Sequence, residues 1–398
     1  MIRKALLLAV LAPFLTPGCM FAGQQPSTAS RQSFSQLLQT AERARDENRD
    51  EEAIRLFRSA LSEQPDSEEA LWYLGTLLYE KDQYSDARDV LRQFLTLRPD
   101  AGPGWALLGI SEFQLRDYPR ALDHLQRAMA QGMGDRKELV QAVFYDVAIL
   151  LTRFERYDDS LDMMLKMLAS GSQDSSLPQS SLTDPAGLAG LRLALLPAEI
   201  PPDRRELIGL AGRAVLAVQT QHYEEAESQF KRLVSAYPNE PGVHFLYGAY
   251  LMELHPTDAV PEFERELAIS PSHVLARIRL AQQLIAQADF DRALALARQA
   301  IKLDPKRATA HMFAGEALLA RGNAGEGIKE LEIARADDTS VNRIHWDLLR
   351  AYAAAGRTEE ANREKQEIEK LYHGDSPARP QTRPDGAEES LRESPAPQ

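Results

Sequence analysis

The sequence predicts an all-α protein, a solenoid of stacked helical hairpins, and three observations predict it. Residues 68–101 read as two short helices around a tight turn, Lys81-Asp82-Gln83. The first carries Leu71, Leu74, Gly75 and Leu78 on one face, the i, i+3, i+4, i+7 spacing of an amphipathic helix. The second carries Ala87, Leu91 and Phe94, and Pro99 stops it because proline cannot continue the hydrogen-bond ladder. The small residue early in the second helix then recurs as Ala53, Ala87 and Ala121, and again as Ala226, Ala259, Ala293, Gly327 and Ala361. Each step within a run is 34 residues, except 33 between Ala226 and Ala259. The stopping proline recurs in phase as Pro65 and Pro99, then Pro238, Pro271 and Pro305. A large apolar residue follows the small one by four places at Phe57, Leu91, Leu125, Phe230, Phe263 and Leu331. One hairpin cannot bury its own apolar face, so like neighbours must stack on it.

A helix–turn–helix unit of this period, with these small, apolar and proline positions, resembles the tetratricopeptide repeat. The resemblance covers about 300 of the 398 residues in nine registers. It implies a right-handed superhelical solenoid. It leaves the task open, because function lives in sites placed on a fold.

Residues 1–23 stand outside that pattern. Arg3 and Lys4 precede an apolar run, 5–15, too short to span a bilayer, which is the layout of a signal peptide. Cys19 is the only cysteine, so the chain can form no internal disulfide. It follows Thr16-Pro17-Gly18, which resembles a bacterial lipoprotein processing site. That resemblance implies lipidation of Cys19 as the first mature residue. Thr16 and Pro17 depart from the pattern, and ordinary cleavage nearby is the competing reading.

Residues 24–33 are polar and read as a flexible tether. An N-terminal array of four repeats follows over 34–174, at 34–67, 68–101, 102–135 and 141–174. The fourth is displaced by five residues, uses Ser160 at the small position, and gains 136–140 as an N-terminal extension of its first helix. Residues 175–205 break the phase. Pro178 and Pro185 exclude a regular first helix, and a short helix is expected over 186–196. The segment is a degenerate repeat or a linker; Leu188, Leu191, Leu195 and Leu196 need burial and favour the repeat. Asp203 and Glu206 resemble a capping box opening the C-terminal array of five repeats, 206–371. The last repeat has Lys365 where a large apolar residue is expected, the polar outer face a terminal repeat needs. Residues 372–398, rich in Pro, Ser, Arg and Glu, read as a disordered tail.

Composition excludes some functions. With 46 Lys and Arg against 59 Asp and Glu, the net charge is −13, and no basic cluster exists to meet a nucleic-acid backbone. Gly322, Gly325 and Gly327 lack the Lys-Ser/Thr of a phosphate loop and fall at turn and packing positions. Ser228 and Lys231 have Ser-x-x-Lys spacing but none of its companion motifs, and Phe230 between them is a core position. The histidines lack metal-ligand spacing; His244, His311 and His345 share the fourth position of first helices and read as buried ring packers. No catalytic residue, cofactor or metal is expected.

The binding surface remains. In the family the chain resembles, first-helix positions 2, 5, 9, 12 and 13 line a concave groove. Here they include Trp72, Tyr79, Phe113, Tyr145, Phe245, Met252, Met312 and Trp346, the candidate peptide-binding residues. Neither Lys nor Asn is found among the residues read there, which argues against gripping a peptide carboxylate. The alternative for each apolar residue is packing on neighbouring helices. Aromatics with a polar tip suit an exposed surface, since they satisfy their own hydrogen bond. The expected function is a non-enzymatic protein–protein interaction scaffold or assembly factor of the bacterial cell envelope, in periplasm or outer membrane. Its partners would be proteins or peptides, not nucleic acid, with membrane contact only through an N-terminal lipid. The alternatives are an accessory subunit of an envelope enzyme complex, such as polysaccharide export or synthesis, and a cryptic enzyme.

Overall fold

Each 34-residue period folds into one helix pair. The computed structural model describes residues 28–134, 136–170, 179–338 and 342–373. The signal segment with Cys19 and the tail beyond 373 lie outside the described residues. Two compact units are present, Met1–Leu182 and Thr183–Gln398. In the first, the pairs are α1 (Thr28–Asp46) with α2 (Asp50–Glu63), α3 (Glu68–Glu80) with α4 (Tyr84–Leu97), α5 (Gly102–Gln114) with α6 (Tyr118–Gln131), and α7 (Lys137–Arg153) with α8 (Tyr157–Ser170). In the second, α9 (Thr183–Gly190) stands without a second helix. The pairs after it are α10 (Arg205–Gln219) with α11 (Tyr223–Ala236), α12 (Val243–Leu254) with α13 (Pro256–Ile269), and α14 (Val274–Ala286) with α15 (Phe290–Leu303). The last two are α16 (Ala308–Ala320) with α17 (Ala324–Asp337), and α18 (Asn342–Ala354) with α19 (Thr358–His373). All regular structure among the described residues is helical.

The small position and the large apolar position carry the pairing. Ala53, Ala87, Ala121, Ala226, Ala259 and Ala293 are fully buried, and so are Phe57, Leu91, Leu125, Phe263 and Leu331. The helices touch where the first helix has lost its side chain. A Cβ on Gly315 would lie 2.7 Å from Leu331 and 3.0 Å from the Gly327 carbonyl oxygen, so only glycine permits this approach. Ser160, standing in for alanine, is buried and keeps its hydroxyl satisfied through the Ala148 carbonyl at 2.8 Å.

The turns explain the single 33-residue step. Every first helix of a pair except α12 is followed by a residue at positive φ: Asn48, Asp82, Arg116, Glu155, Gln221, Ala288, Gly322 or Gly356. In the α3–α4 turn the Asp82 N–H donates to the Tyr79 carbonyl at 3.0 Å and the Gln83 N–H to the Leu78 carbonyl at 2.9 Å, a Schellman ending. Between α12 and α13 only His255 intervenes, and the left-handed residue is missing.

Three local expectations change. Helix α1 begins at Thr28, so residues 28–33, read as tether, are helical. The short helix expected over 186–196 is α9, Thr183–Gly190. It stops early because Arg192 is left-handed, φ 54°, with its N–H on Ala189 and the Leu193 N–H on Leu188. Leu188, Leu191 and Leu196 are nevertheless buried, and Leu195 packs against the same core. Helix α10 opens from Arg204 with no side-chain cap, after a 3-10 turn over Pro202–Arg204, in place of the Asp203–Glu206 box. Helix α7 has 17 residues against 13 in α3 and α5, the extension expected from 136–140. Lys365 is exposed on α19.

Candidate protein-binding site

At 3.6 residues per turn, first-helix positions 4, 8 and 11 face the second helix, and positions 2, 5 and 9 turn roughly 100–160° away from it. The candidate residues on that second face differ in how far they are covered. Trp72 is half-buried, its ring 5.2 Å from Phe94 with the Arg136 guanidinium 5.9 Å above it. Tyr79 is buried and meets Tyr84 edge-on at 5.8 Å; Phe113, its counterpart one repeat on, is half-buried and meets Tyr118 at 5.6 Å. Tyr145 and Met252 are half-buried. Phe245 is buried among Phe263, His273 and Arg192, and Met312 is buried in the same core. Trp346 is 41% exposed.

Trp346 has charged neighbours at the other groove positions of the same helix, as the sequence implied. Arg343, Trp346 and Arg350 are spaced i, i+3, i+7 along α18 and form one stripe. Arg343 donates to Glu316 Oε2 at 2.6 Å, across from α16, and Arg350 donates to Asp347 Oδ1. Glu316 Oε1 and Asp347 Oδ2 are buried without a hydrogen-bond partner, Arg343 Nε standing 3.9 Å from Asp347 Oδ2. Two such oxygens can share a site only if one carboxyl keeps its proton. Burial, and next the charge of Asp347, push Glu316 up to about 8, against the pull of Arg343.

The fourth-position histidines are buried as expected, and each has a partner the sequence reading did not assign. His244, His311 and His345 place Nδ1 2.6 Å from Glu262, Glu330 and Glu364, each three places after the small residue of the second helix. His244 and His311 also place Nε2 at 2.9 and 3.1 Å from the carbonyls of Pro238 and Pro305. Glu266, fully buried, accepts the Gly242 N–H at 2.9 Å and the Phe245 N–H at 3.3 Å, so a second-helix carboxylate caps the start of α12. Such carboxylates are committed to structure. The recurrence of Glu at one repeat position was the available signal.

Among the described residues, the Ser228–Lys231 spacing does not give an activated nucleophile. Ser228 and Lys231 line an open hollow of 730 Å³ beside Glu206, Glu224, Glu227 and Arg232. Lys231 is bonded to Glu227 at 2.6 Å, which raises its pKa and keeps it cationic, the wrong state for a base. Among the described residues no three His, Cys, Asp or Glu are placed to hold a metal, and no helix is long and apolar enough to cross a membrane.

The fold and this surface define a helical-hairpin repeat protein. Two models of the tetratricopeptide repeat match the chain, over residues 44–110 and 278–340. Over those two stretches the chain matches the tetratricopeptide repeat, a repeat that implies a scaffold for protein–protein interaction. A TPR repeat-containing protein of Treponema pallidum (strain Nichols) is 24% identical over 316 residues, 72% of this chain and 35% of that protein's length. The match thus spans about a third of that relative. Among solved structures, MamA from Desulfovibrio magneticus RS-1 (residues 41 to the end) is 19% identical, with 44% of this chain and 98% of that one covered, at a TM-score of 0.40. A MamA RS-1 double mutant is also 19% identical, with 43% and 97% covered, at 0.40.

Proposed function

We propose that this protein is a non-enzymatic scaffold or assembly factor of a bacterial cell envelope, holding a peptide or partner protein on its first-helix faces. The observation that carries the reading is Trp346, an indole 41% exposed and framed by Arg343 and Arg350 on one stripe. Trp and Arg are the side chains that most often dominate protein interfaces. Met252, half-buried on α12, is a further candidate in the same unit, and Trp72, Phe113 and Tyr145 are the half-buried candidates of the first unit taken by itself. Export rests on the basic start and apolar run before Cys19, with lipid on Cys19 as the anchor. Mass spectrometry of the native N-terminus tests that part: an unprocessed Met1 refutes export, and an unmodified terminus beyond Cys19 refutes the anchor alone.

The binding face is tested by placing a photoactivatable side chain at Trp346 and, separately, at Ile333. Ile333 lies on second helix α17 and is 44% exposed, so it matches Trp346 in access. Irradiation in the native cell should give a discrete protein adduct from position 346 and none from 333. Equal adducts from both, or none from either, would refute the first-helix face as the binding surface.

A further inference from the structure

Part of that face in the second unit is already occupied. On α10, Ile208, Gly212 and Val215 hold positions 2, 6 and 9, roughly opposite the side turned towards α11. Helix α9 lies directly on them. A Cβ on Gly212 would sit 1.9 Å from the Thr183 carbonyl oxygen, and one on Gly187 would sit 2.1 Å from the Ile208 carbonyl oxygen. The two backbones are therefore in contact, with glycine on both sides. Gly190 faces Val215 and also Leu246 of α12. The chain then passes over the start of α12: the Leu191 carbonyl oxygen comes within 3.2 Å of where a Gly242 Cβ would be, and the Arg192 guanidinium lies 5.5 Å over the Phe245 ring. Gly242 and Phe245 are positions 2 and 5 of that repeat. Phe245 is thus a partner-face residue that the chain itself covers.

The ending of α9 says how this arose. Arg192 and Leu193 make the same Schellman turn that closes first helices elsewhere, yet no second helix follows. A first helix without its partner has an apolar face to bury, and α9 buries Leu188 and Ala186 completely.

We propose that α9 and the turn after it are a built-in ligand for the partner face of α10 and α12. That face accepts, in trans, a segment of the same chemistry: a short helix with glycine and alanine at the crossing and leucine on its flank. Backbone contact through Gly212 leaves no room for a bulky residue at the crossing. The inference rests on the reading that first-helix faces bind partners, and it names the kind of partner this part of the face takes.

The test uses the full chain and a fluorescein-labelled peptide of residues 181–200. Wild-type protein should not bind the peptide. A chain carrying Gly187→Leu and Leu188→Asp should release its own α9 and bind it, and the same peptide carrying Gly187→Leu should not bind. A Val215→Cys reporter, with Cys19→Ser removing the only native thiol, should react with maleimide on the order of tenfold faster once α9 is released. If the released variant loses its helical circular dichroism, α9 is an integral core element and the proposal is wrong. It is equally wrong if the variant stays folded and reactive at position 215 but binds no peptide. Neither failure touches the crosslinking at Trp346, so the two readings fall separately.

Discussion

Glu316 sits where a carboxylate is least stable: its side chain is 11% exposed and a second acid, Asp347, is 2% exposed beside it. Its pKa of about 8 lies above the ordinary value of 4.5, so the folded chain holds a proton that the unfolded chain releases between those values. Stability from this proton is fully present below about pH 4.5 and is lost as the pH rises to about 8. The slope across that window is at most about 1.4 kcal/mol per pH unit. Urea unfolding from pH 5 to 8 should show the decline, and Glu316→Gln, which keeps the shape and removes the titration, should flatten it. Parallel slopes in wild type and variant would show that the proton resides elsewhere. The residue scale was only half legible in the sequence. His244, His311 and His345 stood in phase, but their meaning depended on Glu262, Glu330 and Glu364 a helix away, and each pair becomes a unit only once the hairpin closes. Glu316 and Asp347 belong to successive first helices, so their meeting is a property of stacking that no spacing within one repeat announces.

The turns are the recurrent elements, and they are not equally suited to their conformation. Asn48, Asp82, Gly322 and Gly356 tolerate left-handed backbone; Arg116, Glu155, Gln221 and Ala288 hold it at a steric cost. Ala288 makes the simplest case, φ 59°, because its methyl group brings nothing to offset that cost. Ala288→Gly should stabilise by about 0.5–1 kcal/mol, the strain relieved exceeding the entropy glycine adds to the unfolded chain. A raised midpoint in denaturant titration checks it; a lowered one would mean that the turn is not strained. Element boundaries were largely readable for the same reason. Lys81-Asp82-Gln83 was recognisable as a turn because the apolar pattern lapses there and resumes in a new phase after Tyr84, and α3 and α4 begin and end where that lapse places them. The α9 segment was not readable. Leu191, Leu195 and Leu196 continue an apolar run, which predicts more helix, and the left-handed Arg192 has no side-chain signature. Helix α9 ends at that left-handed turn, and its seat on α10 is set by the approach of Gly187 to Gly212, 25 positions along the chain and in a different repeat register.

Within each unit, each helix packs mainly on the next one or two in sequence, so stability should be held locally and propagate only between neighbours. Ala87 tests this. It is fully buried at the small position of α4, in the pair where a Cβ on Gly75 would already come within 2.8 Å of Leu91. Ala87→Arg inserts a long cation with no acceptor into that contact, by overpacking and by burying charge, at a cost of about 2–5 kcal/mol. A single globular core would spread that loss over every element. A stack of repeats should confine it: amide hydrogen exchange should quicken in α3, α4 and the helices beside them, while α13 to α19 keep wild-type rates. Exchange quickening to the same degree along the entire chain would mean that the repeats unfold as one cooperative body. The same measurement separates folding from recognition. Trp346→Ala, on an exposed side chain, should leave exchange in α18 and α19 close to wild type, whereas Leu348→Ala, on a fully buried one two residues away, should quicken exchange in both helices. If Trp346→Ala loosens those helices as much as Leu348→Ala does, the indole is a packing residue and the binding stripe on α18 must be abandoned.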